Sequence, residues 1–508
     1  MSGSWRIVLC LLAVAVAAVV LQHAAMSFAR HAPDAPGLHG PRKKSQHIFG
    51  DAVAACIGLG LAGLLLLLTG RPFTATVIAV AVLLFLVLVN YAKLIVLREP
   101  LILADAWLLP QVFRYPHLYF PFLPVRIMGI SFAALCVCLV LLFYAEDNHV
   151  SSLPPLVKLL LLGAAAGPAF LLVLLRLGRL PGLGARLLRC CPVSHDPMAD
   201  ALRCGPLAAA MLHPVLAGAM EKQQDRIPDF LRSHATQPAQ SGWPEPVESL
   251  LAETERLEPG TLPHILLIQA ESLYDIREHL RPEQNAALGD FLPNLDILQA
   301  KGQLLPTPES AFGAYTMRTE FSMLTGLSLP VLGPFAHNPY LAAGRRPFWS
   351  LARHLGQKGY EAICLHPYAK DFFRRDKVMP NLGFRHFIGI DELDDLERFG
   401  PYVSDNALGQ WMIGKLERSE QPVFCFTITM EAHGPWLPGR LSEEQTASRL
   451  PPEAFGLFSP QTLLYLCHLR NTDSMLGMLL AAENRLPRPV RLLVYGDHAP
   501  SLRDPAEV

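Results

Sequence analysis

The sequence predicts a multi-span α-helical membrane domain followed by an α/β domain built on a mainly parallel sheet. Three observations predict it. Apolar residues form 51% of the 508-residue chain and crowd into its first 180 positions. From about Thr261, short apolar runs alternate with helical patterns, the texture of a parallel sheet covered by helices. Four of those runs end in side chains able to bind metal or do chemistry.

The membrane part comes first. A bilayer core needs roughly 20 apolar residues per helix. Five stretches qualify: Ile7–Ala25, Ala52–Leu68, Phe73–Val89, Ile127–Tyr144 and Leu156–Leu175. Runs such as "GLLLLL" and "VAVLLFLVLV" have no polar face to offer water. Only Arg6 precedes the first stretch and other spans follow it, so it reads as an anchor rather than a cleaved signal. Between spans three and four, an apolar segment broken by Pro100, Pro110 and Pro116 reads as re-entrant or interfacial. The predicted membrane domain is 1–180, followed by juxtamembrane helices and a linker at 181–260 and an α/β domain at 261–508.

Topology is contested within the sequence. One loop holds Arg30, Arg42, Lys43 and Lys44, and another Lys93, Arg98, Arg114 and Arg126. The positive-inside rule puts both in the cytoplasm, and five spans then put the C-terminal domain there too. A net charge of -1 gives no reason to expect nucleic acid. The ten cysteines contain no C-x-x-C pair, so a zinc ribbon is unsupported. Cys364 and Cys425 read as core residues, while Cys190, Cys191 and Cys204 leave a disulfide open.

The four runs are "HILLIQ" (264–269), "EAICLH" (361–366), "VFCFTITM" (423–430) and "RLLVYG" (491–496). Strands buried on both faces read this way. After them come Glu271, His366, the Glu431-Ala432-His433 stretch, and Asp497-His498. Ligands of open α/β sheets bind beyond the carboxyl ends of the strands, so one site there accounts for all four endings. A fifth element, "FGAYTMRTEFSMLTGL", places Thr316 at the start of an apparent helix, among backbone N–H groups that favour anions. Taken singly, Thr316 reads as a plain N-cap and Glu320 as a first-turn acid helping the helix dipole.

Together "IQAES", "AYTMRTEFSMLTG", "HPYAKDFFRRDKVMPNLGF", "TITMEAHGPW" and "YGDHAP" resemble, in order, the lipoteichoic acid synthase family. These are sulfatase-like phosphoglycerol transferases of the alkaline phosphatase superfamily. The resemblance covers roughly Pro263 to the C-terminus. It implies an alkaline-phosphatase-like domain with one divalent metal, usually Mn2+ with Zn2+ or Mg2+ as alternatives, held by Glu271, Thr316, Asp497 and His498. It further implies Thr316 as nucleophile and His433 as donor contact and proton source. Arg375 would pair with phosphate, and His366 and Phe373 would shape the donor pocket. Phe373 stands where the family often has Trp, and Tyr368 where it has an acid or amide. Family domains run further past the GDH motif, so this one is expected to be short at its C-terminus.

The implied reaction takes a phosphoglycerol group from phosphatidylglycerol to a glycan or polymer hydroxyl through a phospho-threonine. The implied location is a bacterial inner membrane, with the catalytic domain on the outer, periplasmic face. A phosphoethanolamine transferase shares the nucleophile and metal. A sulfatase would need C-x-P-x-R where this chain has Thr316-Met317-Arg318-Thr319-Glu320. A catalytically decayed membrane protein is the remaining alternative.

Overall fold

A computed structural model describes residues 3–30, 44–120, 125–177, 179–190, 197–212, 242–307, 315–483 and 485–502. The chain divides into two compact units, Met1–Asp225 and Arg226–Val508.

In the first unit, the five apolar stretches become helices α1 (Gly3–Arg30), α2 (Lys44–Thr69), α3 (Pro72–Leu97), α4 (Val125–Ala145) and α5 (Pro155–Arg176). All five contain a segment long and apolar enough to cross a membrane. Small and branched residues make the contacts among the first three: Val14 and Ala18 of α1 meet Ala62 of α2 and Ala79 and Leu83 of α3. A buried acid at the end of α4 has a structural job. The Glu146 carboxylate accepts from the backbone N–H groups of Phe73 (2.7 Å) and Thr74 (2.8 Å), capping α3. The proline-broken segment folds into short helical pieces, Leu103–Leu108, Leu109–Arg114 and Pro116–Tyr119, with 121–124 outside the described residues. Of the three cysteines left open to pairing, Cys204 is buried, its Sγ 3.3 Å from the Asp200 carbonyl oxygen, and Cys191 lies outside the described residues. Much of the expected linker, through residue 241, also lies outside them.

The second unit begins its described part with Gly242, Trp243 and helix α6 (Glu245–Arg256). Its core is a parallel sheet of β1 (His264–Ala270), β2 (Glu361–Leu365), β3 (His386–Ile388), β4 (Val423–Ile428) and β5 (Val490–Gly496). The strand order is β3-β2-β4-β1-β5. Every residue of β1 and β4 is buried, which is why their sequences are continuous apolar runs rather than alternating ones. Cys364 and Cys425 lie in that core as expected. The helices that matter for the site are α7 (Thr316–Thr325), α8 (Arg375–Asn381), α9 (Asp405–Glu417) and α10 (Pro460–Glu483). Because the strands are parallel, the carboxyl ends of β1, β2, β4 and β5 share one edge of the sheet.

Candidate metal centre and its surroundings

At the ends of adjacent strands β1 and β5, Glu271, Asp497 and His498 come together. One ligand atom from each lies within 4.8 Å of the others, and all three residues are buried. Backbone packing forces the closeness. A Cβ on Gly496 would sit 2.0 Å from the Leu273 carbonyl oxygen, so only glycine lets the two strand ends approach this far. The ends are then cross-tied. Ser272 N–H donates to Asp497 Oδ1 (2.8 Å), Ser272 Oγ to Glu271 Oε1 (2.9 Å), and Glu271 N–H to Thr429 Oγ1 (3.0 Å).

The donor set fits a cation. Two carboxylates face each other out of water, and burial, with Asp497 alongside, pushes the Glu271 carboxyl well above the usual carboxylate range. Asp497 Oδ2 is buried and makes no hydrogen bond among the described residues. His498 Nδ1 lies 3.1 Å from the Ala499 carbonyl oxygen, which can only accept, so Nδ1 carries the hydrogen. The other ring nitrogen, Nε2, faces Asp497 Oδ2 (3.3 Å) and Glu271 Oε1 (3.5 Å). Three electron-pair donors aimed at one point are mutually repulsive until a positive charge stands among them.

Helix α7 is tied to this cluster. Thr319 Oγ1 donates to the Asp497 carbonyl oxygen at 2.9 Å, which pins the first turn of α7 beside the ligands. Thr316 is the first residue of that helix, buried, one turn ahead of Thr319. Tyr315, immediately before it, has the left-handed φ of 69°. That turn aims the helix start without a side-chain cap.

Arg375 departs from expectation. It is not a surface residue, and its fork is directed at protein: Nε donates to Glu320 Oε2 at 3.0 Å and Nη2 to Glu320 Oε1. Both residues are almost wholly buried. Burial works against the Arg375 charge, but Glu320 holds its pKa above the ordinary value. Glu320 also accepts from Tyr340 Oη and from Gln269 Nε2 (3.3 Å), and Tyr495 Oη donates to Gln269 Oε1 (2.7 Å). The first-turn-acid reading of Glu320 therefore fails: the residue lies in the second turn and faces the core.

His366, at the end of β2, is buried with Nδ1 3.1 Å from the Ile428 carbonyl oxygen and Nε2 3.4 Å from Arg375 Nη1. Burial, with Arg375 next to it, depresses its pKa well below the usual histidine value, so the ring is neutral. Phe373 is half-buried, its ring 5.2 Å from the Arg375 guanidinium. His433 follows β4, half-buried, with its ring 6.0 Å from that of Tyr402. The loop carrying His433 is gripped by Arg440, which donates to the carbonyl oxygens of Glu431 (2.9 Å) and Pro435 (3.1 Å).

Behind that loop lies a buried knot that the sequence did not announce. Glu431 accepts from His468 Nδ1 (2.9 Å), Asn471 Nδ2 (2.9 Å) and the Asp405 N–H (2.8 Å). Arg440 Nε donates to His468 Nε2 at 2.9 Å. Burial raises the Glu431 pKa to about 7, and burial with Glu431 close by raises Asp405 well above its usual range. With three donors on it, Glu431 is the better carboxylate of the two, and Asp405 is the neutral acid. His468 and Asp405 carried no signal, because single polar residues inside helical patterns look like any solvated position.

Comparison with known proteins agrees with the motifs. Residues 263–507 match the sulfatase family. Over 428 residues the chain is 29% identical to the capsular polysaccharide biosynthesis protein RkpI of Rhizobium meliloti (strain 1021), covering 82% of this chain and 72% of that one. It is 28% identical over 242 residues to a putative cyclic beta-1,2-glucan modification protein of the same organism, covering 47% of this chain and 36% of the relative. The lipoteichoic acid synthase LtaP of Listeria monocytogenes aligns at 18% identity and a TM-score of 0.36, over 49% of this chain and 62% of the synthase. The parallel sheet, the ordered motifs and the family match converge on residues 263–507, a sulfatase-like domain built on a parallel sheet, joined in one chain to five apolar helices.

Proposed function

We propose that this protein is a membrane-anchored, metal-dependent phosphoglycerol transferase. Its donor is phosphatidylglycerol and its acceptor a hydroxyl of a cell-envelope glycan. The observation that supports the reading is the buried Glu271, Asp497 and His498 trio, with the first turn of α7 tied to Asp497 through Thr319. The names of two relatives, a capsular polysaccharide protein and a glucan modification protein, support a glycan acceptor. The five apolar helices support a lipid donor, since they would hold the domain where the lipid resides. The domain would face the outer side of a bacterial inner membrane, where such glycans are exposed.

Glu271, Asp497 and His498, with the Thr316 hydroxyl, would hold one divalent ion, manganese or zinc by donor chemistry. When bound, that ion supplies the positive charge needed to lower the pKa of a hydroxyl and to offset charge on phosphate. The remaining work falls to side chains. The Thr316 hydroxyl gives up its proton to solvent and forms a bond to phosphorus as the bond to the diacylglycerol oxygen breaks. His433 gives a proton to that oxygen, and glycerophospho-threonine remains. In the second step an acceptor hydroxyl passes its proton to His433 and attacks the same phosphorus, and Thr316 leaves and regains its proton. Backbone N–H groups at the start of α7 would steady the phosphate oxygens. His366, neutral and buried, would line the donor pocket with Phe373, while Arg375 holds Glu320 and shapes that pocket from behind.

The test uses purified full-length protein with phosphatidylglycerol in mixed micelles and manganese chloride. Wild-type protein releases diacylglycerol and Thr316→Ala does not. Release by Thr316→Ala at the wild-type rate would end this mechanism. Release from phosphatidylethanolamine instead would reassign the head group.

A further inference from the structure

The described part of the second unit begins with a contact on the nucleophile helix. Trp243 Nε1 donates to the Met323 carbonyl oxygen at 2.7 Å, in the last turn of α7. Its indole ring covers Gly326, the left-handed C-cap of that helix at φ 69°. A Cβ on Gly326 would meet ring atoms of Trp243 at 2.9 and 3.0 Å. A Cβ on Gly242 would lie 2.2 Å from the Gly326 carbonyl oxygen, so the backbone itself crosses the end of α7. The residues that follow are fastened in turn. Val247, Leu250 and Thr254 of α6 are buried, Arg491 of β5 donates through Nε to Glu253 (3.1 Å), and Lys358 pairs with Glu255.

Helix α7 is therefore held at both ends. Thr319 ties its first turn to Asp497, and Trp243 closes its last. Ten residues at about 1.5 Å each make a rod of about 15 Å, short enough that a shift at one end moves the other. We infer that Trp243 is a positioning residue: by fixing the C-terminal end of α7 it sets where the Thr316 hydroxyl stands relative to Glu271, Asp497 and His498. The inference rests on the proposed role of Thr316. A tryptophan serving packing alone would affect stability and leave the reaction rate of the folded enzyme intact. A clasp would instead alter turnover more than substrate affinity, because misplacing a reacting group by about 1 Å costs up to about 100-fold in rate.

The experiment uses full-length wild-type, Trp243→Ala and Trp243→Phe proteins in detergent. Turnover of bis(p-nitrophenyl) phosphate with manganese gives kcat and KM, and hydrogen exchange reads the amides of 316–326 against those of β1 and β5. For Trp243→Ala, kcat falls about 10- to 100-fold while KM stays within about twofold. Exchange in 316–326 speeds up roughly tenfold, as expected for losing a hydrogen bond and its packing, with the strands unchanged. Trp243→Phe keeps a ring over Gly326 but lacks the Nε1–H, so it restores part of kcat. Should Trp243→Ala not fold, Trp243→Phe carries the same comparison with a smaller loss. Unchanged exchange in 316–326, or kcat within twofold of wild type, overturns the inference. If wild-type protein shows no turnover while exchange responds as stated, the functional proposal fails and the clasp stands.

Discussion

The pairing of Glu320 with Arg375 gives the sharpest test of how this site is built. Replacing Glu320 by Gln keeps the shape and removes the charge. The structure shows what is lost. Glu320 accepts at one oxygen from Arg375 Nε and Tyr340 Oη, and at the other from Arg375 Nη2 and Gln269 Nε2. Whichever way a glutamine amide is turned, its NH2 faces two donors, one of them from a buried cation. A hydrogen bond to a charged group contributes about 1.5–3 kcal/mol, and breaking a buried pair from one side costs about 3–5 kcal/mol. At about 2–4 °C per kcal/mol for a domain of this class of size, Glu320→Gln lowers the melting temperature by roughly 10 °C. Arg375→Met, which strands the Glu320 carboxylate, does the same.

The pair variant is the decisive arm. Removing both charges together, as Glu320→Gln with Arg375→Met, leaves no stranded ion, so its loss is well below the sum of the singles, with a coupling of about 2–3 kcal/mol. Thermal melts of the detergent-solubilised protein read this directly. If Arg375 were chiefly a phosphate contact, Arg375→Met would raise KM and leave the melting temperature within about 2 °C of wild type. Additive single losses, or that KM-only result, would refute the assignment of Arg375 to Glu320.

Other predictions follow from the same geometry. Gly496→Ala has to push the Leu273 carbonyl aside and costs about 1–3 kcal/mol, visible as a lower melting temperature and weaker manganese binding. Manganese at about 100 times its Kd raises the melting temperature of wild-type protein by the equivalent of about 2.7 kcal/mol; Asp497→Asn abolishes that increase, and chelation reverses it. Glu431 has a folded pKa raised to about 7, so its stabilising contribution is complete below its unfolded value of 4.5 and is lost as pH rises through 7. At about 1.4 kcal/mol per pH unit that loss is on the order of 3 kcal/mol, and melts between pH 4.5 and 8 show it shrinking in Glu431→Gln.

What the sequence disclosed and what it hid have physical reasons. Strands β1, β2, β4 and β5 were legible because burial on both faces gives each an unbroken run of four apolar residues. Strand β3 was not, since its three residues at the sheet edge are partly exposed and carry no pattern. The five spans were legible from hydropathy, though each helix overruns its apolar window, because backbone hydrogen bonds continue past the apolar stretch. Glu271, Asp497 and His498 were legible as strand endings, and parallel pairing brings the ends of β1 and β5 side by side. The partner of Arg375 was hidden. An arginine fork suits a carboxylate as well as a phosphate, and Glu320 lies 55 residues away along the chain. The contact of Trp243 with Met323 spans 80 residues and was equally unreadable.

Backbone conformation adds an observation that no residue type announces. Among the described residues, five non-glycine residues hold a left-handed φ: Arg98, Ser272, Tyr315, Phe373 and Arg374. The last four stand within two residues of Glu271, Thr316 or Arg375. Such conformations cost of order 1–3 kcal/mol each and persist only where surrounding contacts over-determine them. Those contacts are visible. Ser272 is held by Asp497 and Glu271, and the turn through Phe373 and Arg374 delivers Arg375 to Glu320. Helix α7, which Tyr315 introduces, is held by Asp497 and Trp243. Relaxing any one turn into an ordinary conformation would swing its neighbour out of the cluster. The strain and the buried polar contacts therefore belong to a single balance. The hydrogen bonds around Glu320 and Asp497 offset the backbone cost, and the residues they hold in place are those on which the proposed transfer depends.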